Sequence, residues 1–280
     1  MSKSTASLIR SRFTEMVSRS DEEINLAEAA LLIAAEEYPR LDVDLYLEKL
    51  DRFADLARDR ALKAGEIFEP VSILNGTLFD DLGFHGNSEN YYDPRNSFLN
   101  EVIDRRTGIP ITLTVVYIEV AKRIGVCIDG IGMPGHFIAR YSSGSEEVFI
   151  DAFNRGRLLG RAGCAEMLSD MSGGRLELKP EHLAPVTKKQ ILVRMLSNLL
   201  GIYAAGDNTR ALATIERILL IIPDSPPHVR DHGLLLAMSG DTTSAIDELE
   251  RYLTLAPGAT DAESIREQIK AIRQTQAKLN

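Results

Sequence analysis

Between Pro110 and Gly125 the apolar residues Ile111, Leu113, Val115, Val116, Ile118, Val120, Ala121 and Ile124 fall on several faces of a 3.6-residue spiral. That distribution predicts a helix buried on most sides rather than an amphipathic surface helix. Pro110 suits the first helical position, Lys122 and Arg123 suit the last turn, and Gly125 supplies the stop. After Gly125 the period changes to two. Val126 to Met133, Gly135 to Tyr141 and Glu147 to Phe153 read as strands, the last two joined by a turn at Ser142-Ser143-Gly144-Ser145. His136 lies near the start of one strand and Asp151 near the end of its neighbour, so an antiparallel pairing brings an imidazole beside a carboxylate.

Upstream, the first 65 residues predict a helical subdomain. Residues 1 to 19 form a leading helix or tail. Ser20 and Glu23 have the spacing of a capping box that opens a helix through Glu37, and Tyr38-Pro39 closes it. A second helical period runs from Asp44 to Lys63. Val71 to Leu82 predicts one short helix, Gly83 to Asn87 a loop, Tyr91 to Arg95 a turn, and Ser97 to Arg106 a helix leading into the central one. Beyond Asp151, Gly156 to Leu159 reads as a last strand and Arg161 to Ser172 as a helix closed by Gly173-Gly174. The loop from Pro180 to Pro185 marks the expected boundary between a first domain, 1–185, and a second, 186–280.

From Lys188 onward the pattern is helical throughout, and it repeats. Gly206-Asp207 recurs as Gly240-Asp241, Ala211 as Ala245, Glu216-Arg217 as Glu250-Arg251, Leu219 as Leu253 and Pro223 as Pro257, each pair 34 residues apart. That is the tetratricopeptide period, with small residues where paired helices approach and a proline ending the second helix. A protein or peptide partner held by these repeats is the corresponding expectation.

Composition narrows the class. With 44% hydrophobic and 26% charged residues the chain is ordinary globular protein, and its net charge of −9 argues against a nucleic-acid partner. No apolar run approaches the roughly 18 to 20 residues of a membrane span. Two cysteines give no disulfide framework, and Met1 to Ser20 lacks the apolar segment of a secretory signal, so the expected compartment is the cytoplasm. No His or Cys pair has metal-ligand spacing, and Gly156, Gly160 and Gly163 do not form a phosphate loop; neither metal nor cofactor is expected.

Tyr91 to Asn100, Arg105 to Ile111, Pro134-Gly135-His136-Phe137 and Ile150-Asp151 together resemble the bacterial SirB-type proteins, over nearly the whole chain. The resemblance implies an α+β, papain/transglutaminase-like core of buried helix and antiparallel sheet, preceded by N-terminal helices and followed by an all-α tetratricopeptide-like region. In transglutaminase-like cores a cysteine at the start of the buried helix precedes the His and the Asp; here that position is Pro110, which has neither thiol nor hydroxyl. The resemblance therefore implies a remnant or cryptic His136–Asp151 pair. Thr112, early in the same helix, is the alternative attacking group, although an unactivated hydroxyl is a poor nucleophile. Cys127 and Cys164 read as small core residues. Tyr92, Asn96 and Arg106 are the candidates for holding a ligand, and Arg95, Arg105 and Arg106 for an anionic pocket or for ion pairs with Asp93 or Asp104. His85, His182, His228 and His232 read as solvated. Two functions follow: a non-catalytic protein-interaction or regulatory module, or an enzyme acting on amide or peptide bonds through His136 and Asp151 with water or Thr112.

Overall fold

The computed structural model describes residues 3–64, 69–144 and 146–279 of the 280-residue chain. Ser145, and Met1 and Ser2 of the leading segment, lie outside the described residues. The chain divides into two compact units, Met1–Met195 and Leu196–Asn280. The division falls ten residues after the proline-bearing loop that the sequence pointed to, inside a continuous helix.

Three helices open the first unit: α1 (Lys3–Ser18), α2 (Leu26–Ala35) and α3 (Val43–Ala64). The Ser20–Glu23 box forms only a turn. Glu23 does reach back to the Ser20 N–H and hydroxyl, at 3.3 and 2.9 Å. The helix, however, starts at Leu26, where the Asn25 side chain accepts from the Glu28 N–H at 3.2 Å. The physical reason is a distant demand on Asp21, whose carboxylate oxygens accept from the N–H groups of Lys188 and Lys189, both at 3.0 Å. Those orphan donors belong to the first turn of another helix, so the turn at Asp21 serves that helix rather than its own.

The single helix expected over Val71–Leu82 is two elements. α4 (Pro70–Asn75) passes into a π-helical stretch, Gly76–Asp81, whose wider turn carries the Leu82 N–H to the Thr77 carbonyl at 2.9 Å. Gly76 lets Arg60 approach there; a Cβ on it would sit 2.2 Å from the guanidinium carbon. β1 (His85–Gly86) then pairs in parallel with β2 (Thr107–Gly108), and between them lie a 3-10 turn, Pro94–Ser97, and α5 (Leu99–Arg105).

The buried helix, α6, runs Pro110–Arg123 with Pro110 at its first turn, as its pattern predicts. Residues on every face are buried, and α2, α3, α5 and the sheet pack round it. The sheet is an antiparallel meander in the order β3 (Ile128–Ile131), β4 (Ile138–Ser143), β5 (Glu146–Asp151) and β6 (Arg157–Leu159). Its other face is covered by α7 (Arg161–Ser172), with Ile131, Met133, Ile138, Phe149, Cys164 and Leu168 in one apolar cluster. The architecture is α+β: a buried helix plus antiparallel sheet with helices before it and helices after.

α8 (Lys188–Tyr203) carries the chain into the second unit, where α9 (Asn208–Ile221), α10 (Pro226–Met238), α11 (Thr242–Leu255) and α12 (Ala262–Leu279) follow. The 34-residue repeat has direct structural meaning here. Asp207 and Asp241 are the N-caps of α9 and α11, accepting from Arg210 and Ser244 N–H groups at 3.0 and 3.2 Å. Ala211 and Ala245 are both fully buried where helices meet, and Pro223 and Pro257 lie just past the ends of α9 and α11.

Candidate functional site

Two turns and one strand end build the centre. Pro134-Gly135 forms a turn that needs the left-handed φ of +75° at Gly135, and the His136 N–H closes it on the Met133 carbonyl at 3.2 Å. Arg194 fixes the same turn from α8, donating to the carbonyls of Met133 and His136 at 3.0 and 2.7 Å. His136 therefore sits two residues ahead of β4, not within it. The register Ala139↔Ile150 brings the last residue of β5, Asp151, alongside that lead-in.

The two side chains meet at 3.0 Å, His136 Nε2 to Asp151 Oδ1, with the carboxylate fully buried. The same oxygen accepts from the N–H groups of Phe153 and Asn154 at 3.1 and 3.3 Å, and Oδ2 accepts from the Asn154 side chain at 2.7 Å. A carboxylate can only accept, so Nε2 is the nitrogen that donates in this contact, and in the neutral imidazole the lone pair is on Nδ1. Burial pushes the Asp151 carboxyl up, but the hydrogen bond and charge of His136, then the bonds from Asn154, outweigh it and hold the group below the usual carboxylate range.

Aromatic rings step outward from this pair. Phe153 stands edge-on to His136 at 6.3 Å, Tyr91 to Phe153 at 6.0 Å and Tyr92 to Tyr91 at 5.4 Å. Tyr92 is 79% exposed, so this candidate lies at the outer end of the ladder, well away from the imidazole. On another side, Pro134 and Gly135 join Leu168, Met171 and Leu176 in lining a cavity of about 440 Å³.

α6 meets the residue after His136 in its second turn, where the Thr114 hydroxyl donates to the Phe137 carbonyl at 3.5 Å. Pro110 occupies the first position of that helix. Thr112 is fully buried, and its hydroxyl donates to the Asn96 carbonyl at 2.7 Å and accepts from the Ile109 N–H at 3.2 Å. Gly108 is needed beside it, because a Cβ would lie 2.8 Å from that hydroxyl.

Asn96 and Arg106 are likewise bonded within the fold. The Asn96 amide donates to the carbonyls of Asn90 and Tyr91 at 2.7 and 3.2 Å and accepts from Asn87 at 3.1 Å. Arg106, in a left-handed conformation at φ 57°, lies over the Phe53 and Phe84 rings and donates to the Ile103 carbonyl. No three-arginine anion pocket forms. Arg95 and Arg105 both face Asp93, at 2.7 and 3.9 Å, while Asp104 pairs with Lys49 and Tyr46. Cys127 is exposed, against expectation, because it precedes β3 rather than pointing into the sheet's core. Cys164 is buried, and burial pushes its thiol up to about 11. His228 and His232 are half-buried, His228 against Ser225 at 2.7 Å and His232 3.5 Å from Glu248. Among the described residues no group of three or more His, Cys, Asp or Glu side chains is placed to hold a metal, and no helix is long and apolar enough to cross a membrane.

Asn154 and Arg194 were not foreseen. Asn154 carried a signal, an Asp-x-x-Asn spacing at the end of a strand that suits a side-chain-stabilised turn. Arg194 carried none, being 58 residues from the carbonyl it holds. Within the second unit, Leu253, Ile269 and Ala277 floor a groove of about 420 Å³ edged by Arg266, Lys270 and Arg273.

Residues 44–197 match the model of the transglutaminase-like superfamily, and residues 200–270 that of the tetratricopeptide repeat. A UPF0162 protein of Xylella fastidiosa is 38% identical over 250 residues, covering 88% of this chain and 89% of that protein. F-box only protein 21 of Homo sapiens is 32% identical over 159 residues, 51% of this chain, which spans only 24% of that protein's length. A crystal structure of menin, described as revealing the binding site for the Mixed Lineage Leukemia (MLL) protein, superposes with a TM-score of 0.56 at 14% identity. It covers 91% of this chain, which spans 61% of the menin chain, and at that identity the likeness is one of fold.

Proposed function

The chain belongs to the transglutaminase-like superfamily, its core matched over residues 44–197, and we propose that it is a non-catalytic, cytoplasmic protein-interaction or regulatory module within that superfamily. Tetratricopeptide repeats generally mediate contacts between proteins, and in this reading those of the second unit hold a peptide or helix of a partner. The observation that carries the reading is Pro110. In a transglutaminase-like core the start of the buried helix supplies the nucleophile for acyl transfer, and the proline at that position here offers none. The nearest hydroxyl in that turn of helix, Thr112, is buried and bonded on both sides.

The test uses the intact chain as bait in extracts of its own cells. The reading expects a discrete protein partner, released by Leu253→Asp in the floor of the repeat groove. Absence of any specific partner, together with measurable amide turnover, contradicts it.

A second reading is favoured by one feature, the uncommitted Nδ1 of His136. Oriented by Asp151, that nitrogen has the tautomer of a general base, and water in place of the missing thiol would make the protein an amide- or peptide-bond hydrolase. Peptide-amide hydrolysis that disappears in His136→Ala supports this second reading over the first.

A further inference from the structure

In the second unit, α9 ends just before Pro223 and is followed by α10, and α11 ends just before Pro257 and is followed by α12. α12 therefore stands where the 34-residue period places the first helix of a further pair. In the pair before it the two helices lie close, since a Cβ on Gly233 of α10 would come 2.8 Å from Leu249 of α11. α12 adds Ile265 and Ile269 to the apolar cluster that Val229 and Leu249 belong to. Leu219 of α9 packs against that cluster of the following pair; Leu253, its counterpart 34 residues on, lines the groove of about 420 Å³ between α11 and α12. A repeat buries its apolar side against its neighbour, so the period assigns this groove to the helix paired with α12. Among the described residues no helix fills it.

The floor is apolar, but the edge is not. Arg266, Lys270 and Arg273, spaced by four and then three residues, share one side of α12 along the groove, and Glu250 is the one acid in the lining. Arg273 reaches Glu250 at 2.5 Å and Arg266 reaches Glu263 at 2.9 Å, both pairs open to solvent and so weakly held. Lys270 is exposed and pairs with no carboxylate among the described residues. In a chain of net charge −9, a groove edged by three cations selects an anionic occupant. Given the repeats as an interaction module, the reading on which this rests, we propose that the groove seats an acidic amphipathic helix of a partner protein. That helix lies along α12 as the second of its pair, with its apolar stripe on Leu253 and Ile269 and its carboxylates against Arg266, Lys270 and Arg273.

The probes are two end-blocked, fluorescently labelled helical peptides of about 18 residues, with the same leucine stripe and with flanks of glutamate in one and lysine in the other, titrated into the full chain by polarisation. The glutamate peptide is expected to bind saturably, at least about tenfold more tightly than the lysine peptide, and more weakly as salt is raised. Lys270→Glu is expected to weaken the glutamate peptide about fivefold and to strengthen the lysine peptide. Leu253→Asp should abolish binding of both; should it fail to fold, Lys270→Glu and the peptide pair decide. Equal binding of the two peptides, indifference of both to Lys270→Glu, or no saturable binding overturns the proposal. None of these results touches the reading of the repeats as an interaction module, which is judged by partner capture from extracts, so the two failures are told apart. A dimer of the parent in sedimentation equilibrium that Lys270→Glu dissolves would seat a second copy in the groove, and tighter binding to phosphatidylserine vesicles than to the glutamate peptide would set a membrane there; either overturns it.

Discussion

The polar atoms of the His136 turn and of the first turn of α6 do opposite things, although α6 meets the residue after His136 one turn further on, through Thr114 and Phe137. At the turn, four donors converge on the Asp151 carboxylate and leave His136 Nδ1 uncommitted. At the helix start, Thr112 is bonded as donor and acceptor, Asn96 is bonded on both ends of its amide, and Pro110 has no polar side chain at all. The His136–Asp151 contact is also architecture, because the Asp151 carboxylate closes the β5 turn as well as gripping the imidazole. In the proposed reading the attacking group has no such structural duty, and its place is taken by Pro110, which starts a helix.

The largest effect expected from breaking this contrast is that of Asp151→Ala. It strands two backbone N–H groups and the Asn154 amide in a buried site, and should cost about 3 kcal/mol in urea unfolding. Next is Thr112→Val, which leaves the buried Asn96 carbonyl without its donor and should cost about 2 kcal/mol. A Thr112→Ser variant, which retains the hydroxyl, should recover most of that. If Thr112→Val is as stable as the parent, the hydroxyl is not committed as described.

A gentler effect is read by pH. A carboxyl whose folded value lies below its unfolded one, about 3.9, contributes stability above that unfolded value and loses it as the pH falls through the folded one. Asp151 is of this kind, so it supports the fold at neutral pH and ceases to do so in the acid limb. His136→Leu removes the hydrogen bond and charge that lower it and leaves the burial that raises it. Acid unfolding followed by circular dichroism should therefore begin at a higher pH in the variant; an unchanged limb would mean that the imidazole does not govern the carboxylate. The smallest effect belongs to Tyr117→Phe on α6. Its hydroxyl is buried without a hydrogen-bond partner, and its removal should leave stability unchanged or raise it by up to about 1 kcal/mol in the same unfolding assay.

Where local rules and tertiary structure agree, the sequence was readable. α6 begins at its proline, α7 ends before Gly173, the strands overlap the stretches expected although burial runs along them in blocks rather than alternating, and the second unit keeps its 34-residue period in the caps, the buried alanines and the prolines past the helix ends. Several misses come from partners that only the folded chain supplies, some near and some far along it. Ser20–Glu23 stayed a turn because Asp21 caps α8. Asn96 and Arg106 looked available because the carbonyls and rings that hold them are set by the fold. The His136–Asp151 contact was legible from two strand ends, whereas Arg194, which holds the turn in place, was not.

The most direct test of the central claim, that the core orients a histidine but has nothing for it to activate, is a turnover measurement. The protein and His136→Ala are incubated with peptide amides and lysine donors, and ammonia release, hydrolysis and cross-linking are followed by mass spectrometry. The account predicts no turnover in either. Turnover by the parent that is lost in His136→Ala would contradict it and show that the pair performs chemistry despite Pro110.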